Sequence, residues 1–160
     1  DYLPVNPVLI EGYQTKFLLY TVPGQVVYNA TRELVLRGVD GLVFVADSDP
    51  DRWDANMEAW QNLLQTLQNN GRDLSEIPLV FQYNKRDLPN AVPLAELERQ
   101  LNPHGFPAFE AAAPAGKGVL ETLEVLSSEV LRRFHLRREE EAREVSTRHG
   151  QPITEASASW

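Results

Sequence analysis

The chain has 160 residues, 42% hydrophobic and 24% charged, with a net charge of −8 and no cysteine. That is one domain's length of ordinary globular composition, long enough to bury a substantial core. The acidic balance argues against nucleic acid or an anionic membrane surface as main partner, and the missing cysteines exclude disulfides, thiolate metal sites and cysteine nucleophiles.

In chain order, the segment PVLIEGYQTKFLLY (7–20) holds two apolar runs around Glu11-Gly12, which predicts a hairpin and hence an antiparallel edge strand. The runs KFLLYT (16–21), GLVFVAD (41–47) and PLVFQYN (78–84), with the weaker FPAFEA (106–111), read as strands, near-continuously apolar as strands covered on both faces are. Asp49-Pro50 is a helix cap followed by proline at the first turn. Trp53, Met57, Trp60, Leu64 and Leu67 then recur at helical spacing until Asn69-Asn70-Gly71 ends the helix. Leu94, Leu97 and Leu101 mark a shorter helix, and Val119, Leu123, Leu126, Val130 and Phe134 a long one. Alternating strands and helices predict an α/β fold with three layers, a mostly parallel sheet and one antiparallel edge strand. Residues 1–134 form the domain, and 135–160 are a charged helix extension running into a polar tail expected to be disordered. No apolar run approaches the ~20 residues of a membrane helix. No signal peptide or prenylation cysteine is visible, so a cytoplasmic protein without a membrane anchor is expected.

Ligands of open α/β sheets sit outside the carboxyl ends of the strands. The four strands deliver there Gly24-Gln25, Asp47-Ser48, the run NKRD (84–87) and the loop EAAAPAGKG (110–118). Asn84 and Asp87 on one turn can present an amide and a carboxylate in one plane. Such a carboxylate accepts two hydrogen bonds from guanine N1–H and its exocyclic amine, and adenine leaves it unpaired. The stem of Lys85 can lie across the base with its ammonium in water. Ala111, Ala112 and Ala113 offer little side-chain chemistry, but they let the Ala113 amide approach a base oxygen. Gln25, after a glycine, can orient a water for attack on a γ-phosphate, with the Gly24 amide on that phosphate. Each feature also has a plain structural reading: a charged loop with Asp87 capping a turn, a small-residue connection, a surface turn. His104, His135 and His149 lie on separate segments, so no metal site is expected from them.

Together TVPGQ (21–25), NKRD (84–87) and EAAAPAGKGV (110–119) resemble the Ras-like small GTPases, and within them the bacterial MglA group of polarity and gliding-motility GTPases. The resemblance runs from about Asp1 to Phe134. It implies a GTP-binding and GTP-hydrolysing switch, with Gln25 positioning water, Gly24 on the γ-phosphate, and Asn84, Lys85, Asp87, Ala112 and Ala113 around guanine. It implies GTP or GDP and Mg²⁺ as ligands, and a roadblock-type, MglB-like activating protein on residues near 8–30. Thr21 stands where most relatives carry an aspartate of the second switch, and Pro114 where they carry a lysine. The phosphate-loop pattern G-x-x-x-x-G-K-[ST] is not found, and Gly116-Lys117 lacks its context. In that family the missing unit is the first strand, phosphate loop and helix, plus the first switch, about 50 to 60 residues. The sequence is therefore expected to be a piece that turns over nothing alone, its Mg²⁺ ligands lying mainly upstream. The alternatives are a natural loss of the loop and a non-catalytic GTPase-like scaffold.

Overall fold

The computed structural model describes residues 2–4, 8–10, 13–22 and 29–149. Four three-residue strands come first: β1 (Tyr2–Pro4), β2 (Val8–Ile10), β3 (Tyr13–Thr15) and β4 (Leu18–Tyr20). β2 and β3 pair antiparallel with Ile10 opposite Tyr13, which is the hairpin expected there. β4 pairs antiparallel with β1, Tyr20 opposite Tyr2. The run at 16–21 is thus shorter than its apolar pattern suggests, and Leu18 and Tyr20 are exposed. An antiparallel ribbon needs cover on one face only.

Helix α1 (Asn29–Leu36) follows, an element the sequence reading did not anticipate. The central sheet is parallel, in the order β5 (Leu42–Asp47), β6 (Leu79–Asn84), β7 (Ala108–Glu110). Its register pairs Asp47 with Asn84 and Tyr83 with Glu110, so the three strands end level with one another.

Strand alternation splits the sheet's side chains between two faces. Phe44, Ala46, Leu79, Phe81 and Tyr83 join the core that helix α2 (Trp53–Asn69) and helix α3 (Leu94–Leu101) complete with Trp60, Leu63, Leu67, Leu97 and Leu101. Trp60 meets Phe44 edge-on and Phe81 at a tilt, both at 5.1 Å between ring centroids, an arrangement that adds quadrupole attraction to area burial. Helix α4 (Val119–His149) packs against β5, β6 and β7. It passes so close to the foot of β5 that a Cβ on Gly41 would lie 2.6 Å from Val130 Cγ2.

Asp49 caps the turn Pro50–Arg52 by accepting from Asp51 N, as the Asp-Pro pair predicts. The buried stripe of α2 is Asn56, Trp60, Leu63 and Leu67, with Leu64 at its exposed margin rather than in it. Asn56 is polar yet buried because its side chain closes a reciprocal pair with the Asp47 backbone, accepting from its N–H at 3.0 Å and donating to its carbonyl at 2.8 Å. Among the α4 residues whose burial is described, Thr122, Leu126 and Ser127 are buried, while Phe134 is half exposed. The helix continues 15 residues beyond Phe134, at about 1.5 Å per residue a projection of about 22 Å. Its side chains from Leu136 to Glu144 are exposed. Residues 150–160, the expected polar tail, lie outside the described residues.

Candidate functional site

The level ends of β5, β6 and β7 present three loops on one edge. Backbone bonds tie them together: Ser48 N donates to Asn84 O at 2.9 Å, Ala111 N to Tyr83 O at 2.7 Å, Arg86 N to Ala111 O at 3.0 Å, and Val92 N to Ser48 O at 2.8 Å. Ser48, Ala111 and Tyr83 are fully buried beneath them. Burial pushes the Tyr83 phenol well above its ordinary value, and the charge of Glu98 pushes it the same way. The Ser48 hydroxyl finds no hydrogen-bond partner among the described residues.

Asn84, the last residue of β6, accepts the Ala113 N–H on Oδ1 at 3.0 Å. That bond fixes the orientation of the amide, since only the carbonyl oxygen can accept, and leaves the Nδ2 donors available. The Ala113 amide, assigned above to a base oxygen, is engaged by Asn84 here. Lys85 then turns the chain through φ +63°, the single non-glycine at positive φ among the described residues. Leu88 N donates back to Lys85 O at 3.1 Å and closes the turn. Asp87 lies exposed on that turn and makes no hydrogen bond or ion pair with any described residue. A carboxylate with no partner among the described residues and an amide with unengaged Nδ2 donors thus stand on one turn.

Five contacts at this edge were not assigned from the sequence. Lys85 Nζ pairs with Asp47 Oδ2 at 2.7 Å, and Arg52 Nε lies 4.0 Å from the same oxygen. Arg86 Nε pairs with Glu110 Oε2 at 2.9 Å, and its Nη1 donates to Val92 O. Ala112 and Lys117 form an antiparallel bridge that folds the loop back on itself. The bridge is followed by Gly118 at φ +75°, where a Cβ would stand 2.2 Å from Glu110 O. Opposite charges at the ends of adjacent parallel strands were the available signal, since register places such ends side by side.

Gly24 and Gln25 lie outside the described residues, so the structure places the base-side candidates together and leaves the phosphate-side ones aside. Among the described residues no group of three or more His, Cys, Asp or Glu side chains could hold a metal ion. Asp47, the acidic side chain at this edge nearest to such a role, already faces Lys85 and Arg52. A divalent ion does not fit this donor set, and no step is assigned to one. A polar hollow of about 610 Å³ at the opposite end of the sheet, lined by Gly38, Val39, Asp40, Arg72, Glu76, Arg133 and Arg137, contains none of the candidate residues. No described helix is long and apolar enough to cross a membrane.

The family model of the ADP-ribosylation factor family matches residues 5–130. The chain is 53% identical over 131 residues to the mutual gliding-motility protein MglA of Myxococcus xanthus (strain DK1622), covering 82% of this chain and 67% of that protein. It is 34% identical over 104 residues to the human and mouse ADP-ribosylation factor-like protein 4C, covering 61% of this chain and 52% of theirs. The chain thus spans about two thirds of the first relative and half of the others. With the family model covering most of its length, the chain belongs to the ADP-ribosylation factor family of small GTPases, in an MglA-like group.

Proposed function

We propose that the protein carrying this chain is a GTP-hydrolysing switch acting in cell polarity or motility, and that the β6 turn is its guanine site. One observation carries the base assignment: on the turn after β6, Asn84 is oriented by the Ala113 amide while the Asp87 carboxylate stays unpaired and exposed. Asp87 takes guanine N1–H and the exocyclic amine, Asn84 Nδ2 donates to a ring nitrogen, and the Lys85 stem covers one face of the ring. Ala112 and Ala113 keep the opposite loop small enough for the base to enter. Selectivity against adenine follows from leaving the carboxylate without donors, a discrimination of ~10⁴-fold or more where a site is built around such bonds.

On the phosphate side, Gly24 contacts the γ-phosphate and Gln25 orients the attacking water. The chain's relation to the M. xanthus gliding-motility protein supports these roles and the role in motility. Mg²⁺, if bound, would be held mainly by residues other than those described and would supply positive charge at the phosphates. A roadblock-type activating protein of the MglB kind binds near residues 8–30, and the whole acts in the cytoplasm. The 160 residues by themselves, without a phosphate loop, bind guanine nucleotide weakly and do not turn it over.

Binding of fluorescent GDP to the whole gene product tests the reading, with unlabelled GDP and ATP as competitors. Displacement by GDP and not by ATP is expected. Equal displacement by both, or no binding, refutes the guanine assignment and favours a scaffold that uses the fold without the nucleotide.

A further inference from the structure

We infer that Asp47 is a positioning residue for the nucleotide site: its carboxylate holds the Lys85 ammonium, so that the lysine stem stands as a preformed wall of the base slot. The inference rests on the guanine reading above and adds to it a residue from a different strand. Asp47 is itself immobilised. It ends β5, and the buried Asn56 side chain clamps its backbone from both sides, at 3.0 and 2.8 Å. One carboxylate oxygen accepts the Asp49 N–H at 3.0 Å, which leaves Oδ2 for Lys85 Nζ at 2.7 Å.

Lys85 is fixed from the other end. Its φ of +63° is a conformation that an L-residue keeps only where its surroundings impose it. Bonds on both sides impose it here: Ser48 N to Asn84 O, Leu88 N to Lys85 O, and Arg86 N to Ala111 O. The turn therefore sends the lysine back across the end of β5.

The pair does little for the fold. The Lys85 side chain is 48% exposed, and ion pairs of that exposure add little to stability. Its geometry is nevertheless determined at both ends, which is what a preorganised binding wall needs. A free lysine would have to be ordered when the base arrives, and a lysine already held spares the complex that entropy.

Release of N-methylanthraniloyl-GDP from the whole gene product tests the assignment in wild type, Asp47→Asn, Lys85→Met and the double variant. Asp47→Asn should speed release about three- to fivefold, as expected for loss of one exposed pair, while its melting temperature stays within about 2 °C of wild type. In the Lys85→Met background the same change should add nothing, because Asp47 acts through the lysine. Unchanged release in Asp47→Asn overturns the inference, and so does an equal acceleration in the Lys85→Met background, which would make the effect one of strand geometry. A wild type whose fluorescent GDP is not displaced selectively by GDP over ATP brings down the guanine reading and this inference together. Selective wild-type binding with an indifferent Asp47→Asn brings down this inference alone.

Discussion

Replacing Gly118 by alanine tests how the loop after β7 is held. At φ +75° an alanine carries a left-handed penalty of about 1 kcal/mol. The added Cβ would also stand 2.2 Å from Glu110 O, 2.9 Å from Ala111 Cα and 3.0 Å from Ala111 Cβ. The first two are backbone atoms and cannot rotate away. Relief requires the end of β7 and the start of α4 to separate by about an ångström, against the Ala111 N to Tyr83 O and Arg86 N to Ala111 O bonds. Weakening those two, at about 0.5–1.5 kcal/mol each, brings the total to about 2–4 kcal/mol. For a chain of this size that lowers the melting temperature by roughly 6–12 °C. Gly116→Ala is the internal control. Gly116 has a similar φ, +71°, but nothing lies within 4 Å of its Cβ direction, so it loses the conformational part alone, about 1 kcal/mol. Urea unfolding followed by circular dichroism measures both. Equal losses in the two variants would refute the close approach of α4 to the β7 carbonyl.

Asn56→Ala leaves the Asp47 N–H and carbonyl unpaired beneath α2, and should cost about 2–3 kcal/mol in urea unfolding with an unchanged m-value. Asp87→Asn replaces two acceptors by one acceptor and one donor, the complement of xanthine, which carries a carbonyl where guanine has its amine. GDP affinity should fall by about a hundredfold or more while that for xanthosine diphosphate rises, read by competition with fluorescent nucleotide. Tyr83 is a neutral phenol whose ionisation the fold resists, with its folded value above the ordinary one of 10.0. Its contribution is complete below that ordinary value and is lost as the pH climbs from there toward the folded one. Tyr83→Phe should therefore flatten the alkaline arm of the stability curve relative to wild type, and an identical slope in both proteins would contradict it.

The parallel layer of this fold was legible because its signals are local. Each of the strands β5 and β6 is a near-continuous apolar run, Asp49-Pro50 states where a helix begins, and a period of three to four marks α2, α3 and α4. The departures arise where a short element takes its place from partners. The run at 16–21 carries the composition of a buried strand but pairs in a two-stranded ribbon that leaves Leu18 and Tyr20 exposed. Among the residues of α1 whose burial is described, Arg32 and Leu36 are the buried ones, too few to announce a period. Leu63 and Leu64 both fit helical spacing with Trp60, and only the position of α2 over the sheet decides that Leu63 points inward.

At the candidate site the same division separates motif from support. Asn84 and Asp87 are three positions apart, so the chain itself brings them onto one turn, and their chemistry can be named without coordinates. Asp47 stands 38 positions before Lys85, and Glu110 stands 24 after Arg86. Neither pair has a spacing rule, because contact between them depends on parallel register and on the Lys85 twist. Both pairs become visible once Asp47 is aligned with Asn84 and Tyr83 with Glu110. The charges inside NKRD then divide by direction: Lys85 turns to β5, Arg86 to β7, and Asp87 alone faces outward, unpaired among the described residues. Asp87 is thus the one charge of the run that pairs with no described residue, which is the observation the guanine proposal rests on.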